Sequence, residues 1–292
     1  MRKLIIAISA LFSLSLSAAE AGLTFPNDDM PKLTGDKLII AQQNGAQIYM
    51  NNCMGCHALS FQRYKRTATD LKIPEDVMLD NLIFTGGKIG DLMTNNMNKK
   101  AAANWFGAAP PDLSLIARSR GNHWLYNYLR GFYQDESRPY GVNNGVFKDV
   151  GMPHVLELMQ GIQAKTEQVK GLENDIEYAK ADIANARKQI EDGNDVEAAR
   201  KVLSAAEKLV HEKEAELVKL SKEGKYFEIV QEGNLNPEEF DHAMTDLVYF
   251  LDYVGEPIKQ ERKRLGVWVL LFILGFGVLA YFLKKEYWKD IH

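Results

Sequence analysis

The chain has 292 residues, of which 46% are hydrophobic and 25% are charged, so a wholly disordered or collagen-like polypeptide is excluded and one or two domains fit. Its formal net charge is −4, from 35 Lys and Arg against 39 Asp and Glu. We expect no nucleic-acid partner, because binding to a phosphate backbone requires a concentrated basic surface. The two cysteines, Cys53 and Cys56, lie too close together for a disulfide between them to stabilise a domain, so they must serve a local site.

The N-terminus has the three parts of a secretory signal. Met1 to Lys3 is positive, Leu4 to Leu16 is apolar apart from serines, and Ser17 to Ala21 offers small residues for cleavage. An uncleaved anchor is the alternative, but the apolar run is short for a membrane span. We therefore expect residues 1–21 to be a signal peptide that exports the rest of the chain.

The next predicted element leads into the two cysteines. Asn44 to Tyr49 favours a helix, and it is followed by Cys53-Met54-Gly55-Cys56-His57, a C-x-x-C-H sequence typical of haem c attachment. Two thiols at this spacing can form thioethers with the two vinyl groups of one porphyrin, which places the adjacent imidazole beneath the iron. A thioredoxin-like dithiol needs a strand-to-helix setting and no histidine, and a zinc site needs a second ligand pair. We predict one covalently bound haem c, held by Cys53 and Cys56 and ligated by His57.

Loops and short helices are predicted between the cysteines and residue 150. Pro and Gly residues interrupt the chain up to residue 112, helices are expected over 112–120 and 123–132, and 137–145 is expected to be loop. No segment shows the clean alternation of a strand.

A second iron ligand is expected further along the chain. Met152 lies in Val150-Gly151-Met152-Pro153-His154, where glycine and proline favour a rigid, non-helical loop. A thioether sulfur opposite histidine fills the sixth coordination position of the iron and raises its reduction potential. His154 is the alternative ligand, since a second histidine would fill the sixth coordination position equally well.

A helical hairpin is predicted after Gly161. Two apolar series with alternating spacings of three and four residues are separated by Asp192-Gly193-Asn194, which indicates two antiparallel arms. Asn194 and Glu197 suggest a capping box at the start of the second arm, and Lys213 interrupts the second series. The first series is Val169, Leu172, Ile176, Ala179, Ile183, Ala186 and Ile190, and the second is Val196, Ala199, Leu203, Ala206, Val210, Leu217 and Leu220.

The C-terminus carries a predicted membrane anchor. Gly266 to Leu283 contains no charged residue and would make a helix of about 27 Å, close to the hydrocarbon thickness of a bilayer. A buried core helix is the alternative, but basic residues flank the run on both sides and aromatic residues lie near its ends. Because the signal exports what precedes the span, the C-terminus is expected in the cytoplasm.

Several blocks of this sequence resemble the cytochrome c1 family, the haem subunits of ubiquinol:cytochrome c oxidoreductase (the bc1 complex), in their bacterial form. The blocks are NGAQIYMNNCMGCHALSFQRY, NWFGAAPPDLSLIARSRGNHWLYNYLRGFY, RPYGVNN, VGMPHVLELMQG, DLVYFLDYVGEP and LKKEYWKDIH. The resemblance implies that Met152 is the sixth ligand, that Arg120 pairs with a haem propionate, and that Tyr126 and Pro111 pack near the ring. Arg118 is the alternative partner of the propionate.

The resemblance also implies a function and a set of partners. The iron would cycle between ferrous and ferric states by outer-sphere electron transfer, with no substrate chemistry of its own. The electron would arrive from the Rieske iron–sulfur subunit and leave to a cytochrome c acceptor, with cytochrome b as a further subunit of a dimeric complex. The haem domain would lie in the periplasm, tethered to the bacterial inner membrane by a single span.

The expected fold is all-α: a class I cytochrome c-like haem domain with loop elaborations, an inserted antiparallel helical hairpin and one C-terminal transmembrane helix. The expected divisions are 1–21 signal, 22–161 haem domain, 162–224 hairpin, 225–258 C-terminal helix and linker, and 259–292 anchor with a short tail. Two rival functions remain. A haem subunit of a terminal oxidase or nitric oxide reductase should lack the AAPPDLS and GMPHVL blocks, and a periplasmic haem sensor would need an exchangeable sixth ligand.

Overall fold

The computed structural model describes residues 23–26 and 30–289. The expected signal peptide therefore lies outside the described residues. The chain is 60% helix and 9% strand, so the all-α prediction is confirmed. The sequence did not predict the three small sheets, each of two antiparallel strands, in the described part of the chain.

The chain divides into two compact units. Within the described residues, the unit that we call the cysteine unit comprises 30–126, 151–160 and 233–289, and the unit that we call the hairpin unit comprises 23–26, 127–150 and 161–232. The domain boundaries expected from the sequence stay a prediction.

Over its described residues, the cysteine unit combines three long helices with several short helices and strands. The predicted helix at 44–49 is part of the longer α1 (Gly35–Asn52), and the helix expected over 112–120 is reduced to α5 (Ile116–Ser119). The other elements are β1 (Leu59–Arg63), α2 (Tyr64–Asp70), α3 (Glu75–Leu82), β2 (Leu92–Met93), α4 (Lys99–Phe106), the start of α6 (Asn122–Arg130), α7 (Glu157–Gln160), α10 (Pro237–Gly255) and α11 (Lys259–Tyr287).

The core of the cysteine unit is the contact between α1 and α10. A Cβ atom at Gly45 would overlap the carbonyl oxygen of Asp246 and lie 2.7 Å from the Cβ atom of Phe250, so the two helix backbones meet at this glycine. One turn further along α1, Tyr49 is fully buried and its ring centroid lies 5.7 Å from that of Phe250. The contact therefore holds the end of α1, which carries the cysteines, against a long apolar helix.

A capping box starts α10. The Asn236 side chain accepts a hydrogen bond from the Glu239 backbone N–H (3.0 Å), and the Glu239 side chain accepts one from the Asn236 backbone N–H (3.0 Å), with Pro237 next to the cap. The capping box expected at Asn194 does not form. Asp195 caps that helix in a left-handed conformation (φ 42°) without a side-chain hydrogen bond.

The hairpin unit contains four strands and two long helices. They are β3 (Phe132–Gln134), β4 (Val142–Asn144), β5 (Gly161–Lys165), α8 (Glu167–Glu191), α9 (Val196–Lys222) and β6 (Phe227–Glu232). Strand β4 falls where the sequence predicted a loop. Lys165 of β5 pairs with Phe227 of β6, so the two strands close the base of the helix pair.

The helices α8 and α9 form the predicted antiparallel hairpin. Every residue of the two predicted apolar series is buried or half-buried. Lys213, which interrupts the second series, is 28% exposed, and its Nζ atom lies 2.8 Å from a carboxylate oxygen of Asp175 on α8. An ion pair between the two helices thus compensates the charge of the one lysine that interrupts the second apolar series.

The last helix is the predicted span. α11 has 29 residues, and the apolar window within it has a mean hydropathy of 2.4 and no buried residue. A core helix would be covered by its own chain, so this exposure excludes the alternative and favours a membrane anchor. At its N-terminal end, Lys259 binds Asp252 (2.6 Å) and Arg262 binds Glu256, two carboxylates at the end of α10.

Candidate haem site

The C-x-x-C-H loop begins where α1 ends. The backbone N–H of Cys53 still donates to the carbonyl of Tyr49 (2.9 Å) as in the helix. The backbone N–H groups of Cys56 and His57 then both donate to the carbonyl of Cys53 (3.1 and 2.8 Å), which folds the loop into a tight turn. Cys53 is buried and Cys56 is half-buried, and the two are not joined in a disulfide. The turn therefore holds two thiols and one imidazole close together.

The position of Cys53 argues against a redox dithiol. Reactive dithiols lie at a helix N-terminus, where the helix dipole lowers the thiol pKa. Cys53 lies at the C-terminal end of α1, and burial, with a smaller contribution from Cys56, raises its pKa to about 12. The thiol is therefore poorly suited to disulfide exchange, and the thioredoxin-like alternative is rejected.

Two hydrogen bonds hold His57. The Tyr49 hydroxyl donates to the His57 backbone carbonyl (2.6 Å), and the His57 Nδ1 atom lies 2.7 Å from the carbonyl oxygen of Pro111. A carbonyl can only accept, so Nδ1 carries the proton and Nε2 keeps its lone pair. Burial lowers the pKa of His57, although the bond to Pro111 opposes this shift, so the neutral ring is favoured. This is the form in which histidine ligates a metal.

The segment of Pro111 is itself held in place by Asp112. The Asp112 carboxylate accepts hydrogen bonds from the backbone N–H groups of Ser60 (2.9 Å) and Ser114 (2.8 Å). Burial tends to raise the pKa of Asp112, but the hydrogen bonds from Ser114 and Ser60 outweigh it and lower that pKa. We did not identify Asp112 from the sequence. The available signal was its aspartate-x-serine spacing, which is typical of a side chain that caps its own turn.

Met152 lies in the cysteine unit, in an irregular segment before α7. A Cβ atom at the preceding Gly151 would overlap the carbonyl oxygen of Phe106, so this close approach requires glycine and ties the loop to the end of α4. Met152 and His154 are both half-buried. Their assignment as first choice and alternative for the sixth ligand stays a prediction.

Three other methionines of this unit have side chains that are buried in the core. The Met54 sulfur accepts a hydrogen bond from the Tyr64 hydroxyl (3.4 Å), and the Met93 sulfur accepts one from the Thr67 hydroxyl (3.4 Å). Met78 is fully buried. These side chains fill gaps in the packing, which is the common use of methionine.

The three haem-contact residues implied by the family resemblance lie in the cysteine unit. Arg120 is exposed at the end of α5, with its guanidinium carbon 5.0 Å from the ring centroid of Trp124. Tyr126 is buried, and the Pro111 carbonyl contacts His57 as described. Arg118, the alternative partner for a propionate, lies 3.7 Å from Glu256. The roles of these residues toward the haem stay predictions.

The donor set fits a covalently bound haem. Two adjacent free thiols match the two thioether bonds, and a neutral imidazole with its Nδ1 proton already bonded matches an iron ligand. No cluster of three or more His, Cys, Asp or Glu residues that could hold a separate metal ion occurs in the described residues. Together with the helical fold, this site defines a c-type cytochrome, and the C-terminal apolar helix is its candidate membrane anchor.

The chain belongs to the cytochrome c1 family, whose sequence profile matches residues 36–192 and 227–291. It is 39% identical to cytochrome c1 of Allochromatium vinosum over the full length of both chains. It is 37% identical to the ammonia monooxygenase gamma subunit of Nitrosomonas europaea, over 86% of this chain and 83% of that one. It is 26% identical to cytochrome b/c1 of Bradyrhizobium diazoefficiens, over 99% of this chain and 39% of that one.

Membership of this family establishes the cofactor and the class of function. The chain is a haem-containing electron-transfer subunit of the bc1 complex, and it carries one covalently attached haem c. The family match includes the first arm of the hairpin and excludes the whole second arm, which lies between the two matched ranges.

Proposed function

We propose that this chain takes an electron from the Rieske iron–sulfur subunit and passes it to a cytochrome c acceptor, beside cytochrome b in a dimeric bc1 complex. The haem supplies a one-electron iron couple when it is bound. The observation that carries the proposal is the His57 ring, whose Nδ1 hydrogen bond to Pro111 leaves the Nε2 lone pair for iron. A ligand fixed in advance needs little rearrangement when the iron changes charge, which suits electron transfer.

Each site residue has one role in this proposal. Cys53 and Cys56 form the thioethers, and His57 and Met152 are the axial ligands. The ring contacts are Pro111 and Tyr126, and Arg120 pairs with a propionate. An exposed, planar guanidinium beside an aromatic ring can form the forked bonds that a carboxylate accepts, which supports Arg120.

The proposed location is the inner membrane of a bacterium, with the haem domain in the periplasm and the C-terminus in the cytoplasm. The exposed apolar helix α11 supports the single span, and the signal sequence supports the orientation. We retain the divisions 22–161, 162–224, 225–258 and 259–292 as proposed domain boundaries.

Purification of the native complex in a mild detergent tests the proposal. Cytochrome b and a Rieske protein should co-purify with the chain, and quinol should reduce its haem in a reaction that requires the Rieske subunit. Reduction of the haem by quinol after the Rieske subunit has been extracted would contradict the proposed donor. Co-purification with a terminal oxidase would contradict the whole assignment.

The ligand assignment is tested by Met152→Leu. The oxidised wild-type protein should show the weak near-infrared charge-transfer band of methionine-to-ferric-haem coordination, and the variant should lose it. The reduction potential should fall, because the thioether stabilises the reduced iron. Survival of the band in this variant would contradict the assignment and indicate another methionine, whereas absence of the band from the wild-type protein would make His154→Ala the next variant to measure.

The similarity to the ammonia monooxygenase gamma subunit of Nitrosomonas europaea raises a second candidate, a haem subunit associated with a monooxygenase. The 39% identity to a cytochrome c1 over both full lengths favours the first. The same purification separates the two, since a monooxygenase would replace cytochrome b and the Rieske protein among the subunits recovered.

A further inference from the structure

The carboxylate of Asp112 joins two backbone segments of the haem site. Its Oδ2 atom accepts from the Ser60 backbone N–H (2.9 Å), and its Oδ1 atom accepts from the Ser114 backbone N–H (2.8 Å). The same segments share two further bonds, from the Leu113 backbone N–H to the Ala58 carbonyl (2.9 Å) and from the Phe61 backbone N–H to the Ser114 hydroxyl (3.2 Å). The carboxylate therefore sets the register between residues 58–61 and residues 111–114.

The two residues of the His57–Pro111 hydrogen bond lie next in the chain to the segments that the Asp112 carboxylate joins. His57 precedes Ala58 in the chain, and Pro111 precedes Asp112. The Tyr49 hydroxyl bonds to the His57 main chain, but the direction of the ring depends on where the Pro111 carbonyl lies. A shift between the two segments would therefore lengthen the bond from Nδ1 to the Pro111 oxygen.

We propose that Asp112 is a positioning residue for the axial histidine: by bridging Ser60 and Ser114, its carboxylate holds the Pro111 carbonyl on the His57 Nδ1 proton and so tunes the reduction potential of the haem. This inference rests on the proposed function, in which His57 ligates the iron. Asp112 acts on the His57 bond through the two backbone segments that it joins, and its negative charge near His57 is a second influence that the test must separate.

The direction of the effect follows from the chemistry of imidazole. A strong hydrogen bond from Nδ1 gives the ring partial anionic character and makes Nε2 a better donor. A better donor stabilises ferric over ferrous iron and lowers the potential. A weaker bond to Pro111 should therefore raise the potential, which is opposite to the shift expected for Met152→Leu.

Two substitutions separate geometry from charge. Asp112→Ala removes both acceptor oxygens and the charge, whereas Asp112→Asn removes the charge and keeps one acceptor oxygen. Asp91→Ala is the matched control, since the Asp91 carboxylate also accepts a backbone N–H, from Lys88 (2.8 Å), within its own turn. The measurements on the haem-loaded protein are the midpoint potential and, by NMR, the exchange rate of the His57 Nδ1 proton with solvent.

Asp112→Ala should raise the potential and speed exchange of the Nδ1 proton at least tenfold, with Asp112→Asn in between and Asp91→Ala unchanged. Equal shifts of potential in both Asp112 variants with unchanged exchange would mean a pure charge effect and would overturn the proposal. If Asp112→Ala does not incorporate haem, Asp112→Asn is compared with Asp91→Asn. Only Asp112→Asn should speed exchange of the His57 Nδ1 proton with solvent, and equal rates in the two variants would overturn the proposal. A wild-type spectrum without histidine ligation would instead refute the proposed function itself.

Discussion

The helix pairs α1–α10 and α8–α9 bury their contacts in different ways. At the first pair a glycine on α1 lets the backbones meet, and α10 fills the surroundings with large side chains, among them Phe250, which is completely buried. In the second pair the larger apolar residues cluster at the base, as Val169, Leu172 and Leu220. Beyond the buried Ile176, the buried positions further out are alanines: Ala179, Ala186, Ala199 and Ala206.

The two pairs also differ in how they use polar groups. Tyr253 of α10 accepts a hydrogen bond from the Gln62 side chain (3.0 Å) and donates one to Asp70 (2.9 Å), inside the cysteine unit. The hairpin instead carries ion pairs between exposed side chains, such as Arg187 with Glu207 (3.0 Å). Such exposed pairs contribute roughly 0–1 kcal/mol each. The pair that presents the cysteines is therefore the one in which small changes should matter most.

Gly45→Ala should have the largest effect on stability. A Cβ atom would overlap the Asp246 carbonyl, so α1 and α10 must separate, at a cost of about 3 kcal/mol. Thermal unfolding of the haem-loaded protein, followed at the Soret band, should shift to a lower temperature. An unchanged transition would mean that the two backbones do not meet at this glycine.

Tyr253→Phe should come next. Loss of the hydroxyl leaves the half-buried Asp70 and the buried Gln62 each without one partner, which should cost about 2 kcal/mol. Tyr178→Phe on the hairpin is the control, because its ring is 73% exposed and the substitution should change nothing measurable. Equal effects of the two substitutions would remove the contrast between the two helix pairs.

Gly171→Ala should have the opposite sign to Gly45→Ala. Gly171 lies inside α8, and a Cβ atom there would meet nothing within 4 Å. Alanine in an open helical position should stabilise α8 by roughly 0.5–1 kcal/mol. The midpoint of hairpin unfolding, measured by far-ultraviolet circular dichroism, should rise slightly. A fall would indicate that a partner chain contacts this face.

Replacing residues 166–222 by a short Gly-Ser linker should have the smallest effect on the haem. None of the proposed ligands lies in the hairpin, and β5 and β6 pair with each other at its base. The visible spectrum and the midpoint potential should stay at their wild-type values. Loss of haem incorporation would show that the hairpin is part of the haem-binding core, whereas loss of a co-purifying subunit would identify it as a docking element.

Local patterns predicted some elements correctly and others wrongly. The apolar spacing correctly predicted which residues of the two hairpin helices face each other, because a 3.5-residue period marks the face of a helix that is buried. The helix expected over 112–120 fails in its first part, because the Leu113 backbone N–H and the Asp112 carboxylate bond to Ala58 and Ser60, which holds this segment along residues 58–60 instead of in a helix. Strands β3 and β4 were missed because they are three residues each, too short to show alternation.

The sequence by itself determined what is written in contiguous residues: the C-x-x-C-H attachment site, the two arms of the hairpin and the apolar span. Only the tertiary structure decided how the site is held. The partner of the His57 ring is a carbonyl 54 residues away, and the helix that requires Gly45 lies about 200 residues further on. A backbone carbonyl has no identity in the sequence, and a glycine does not reveal what approaches it. Both depend on where the folded chain returns.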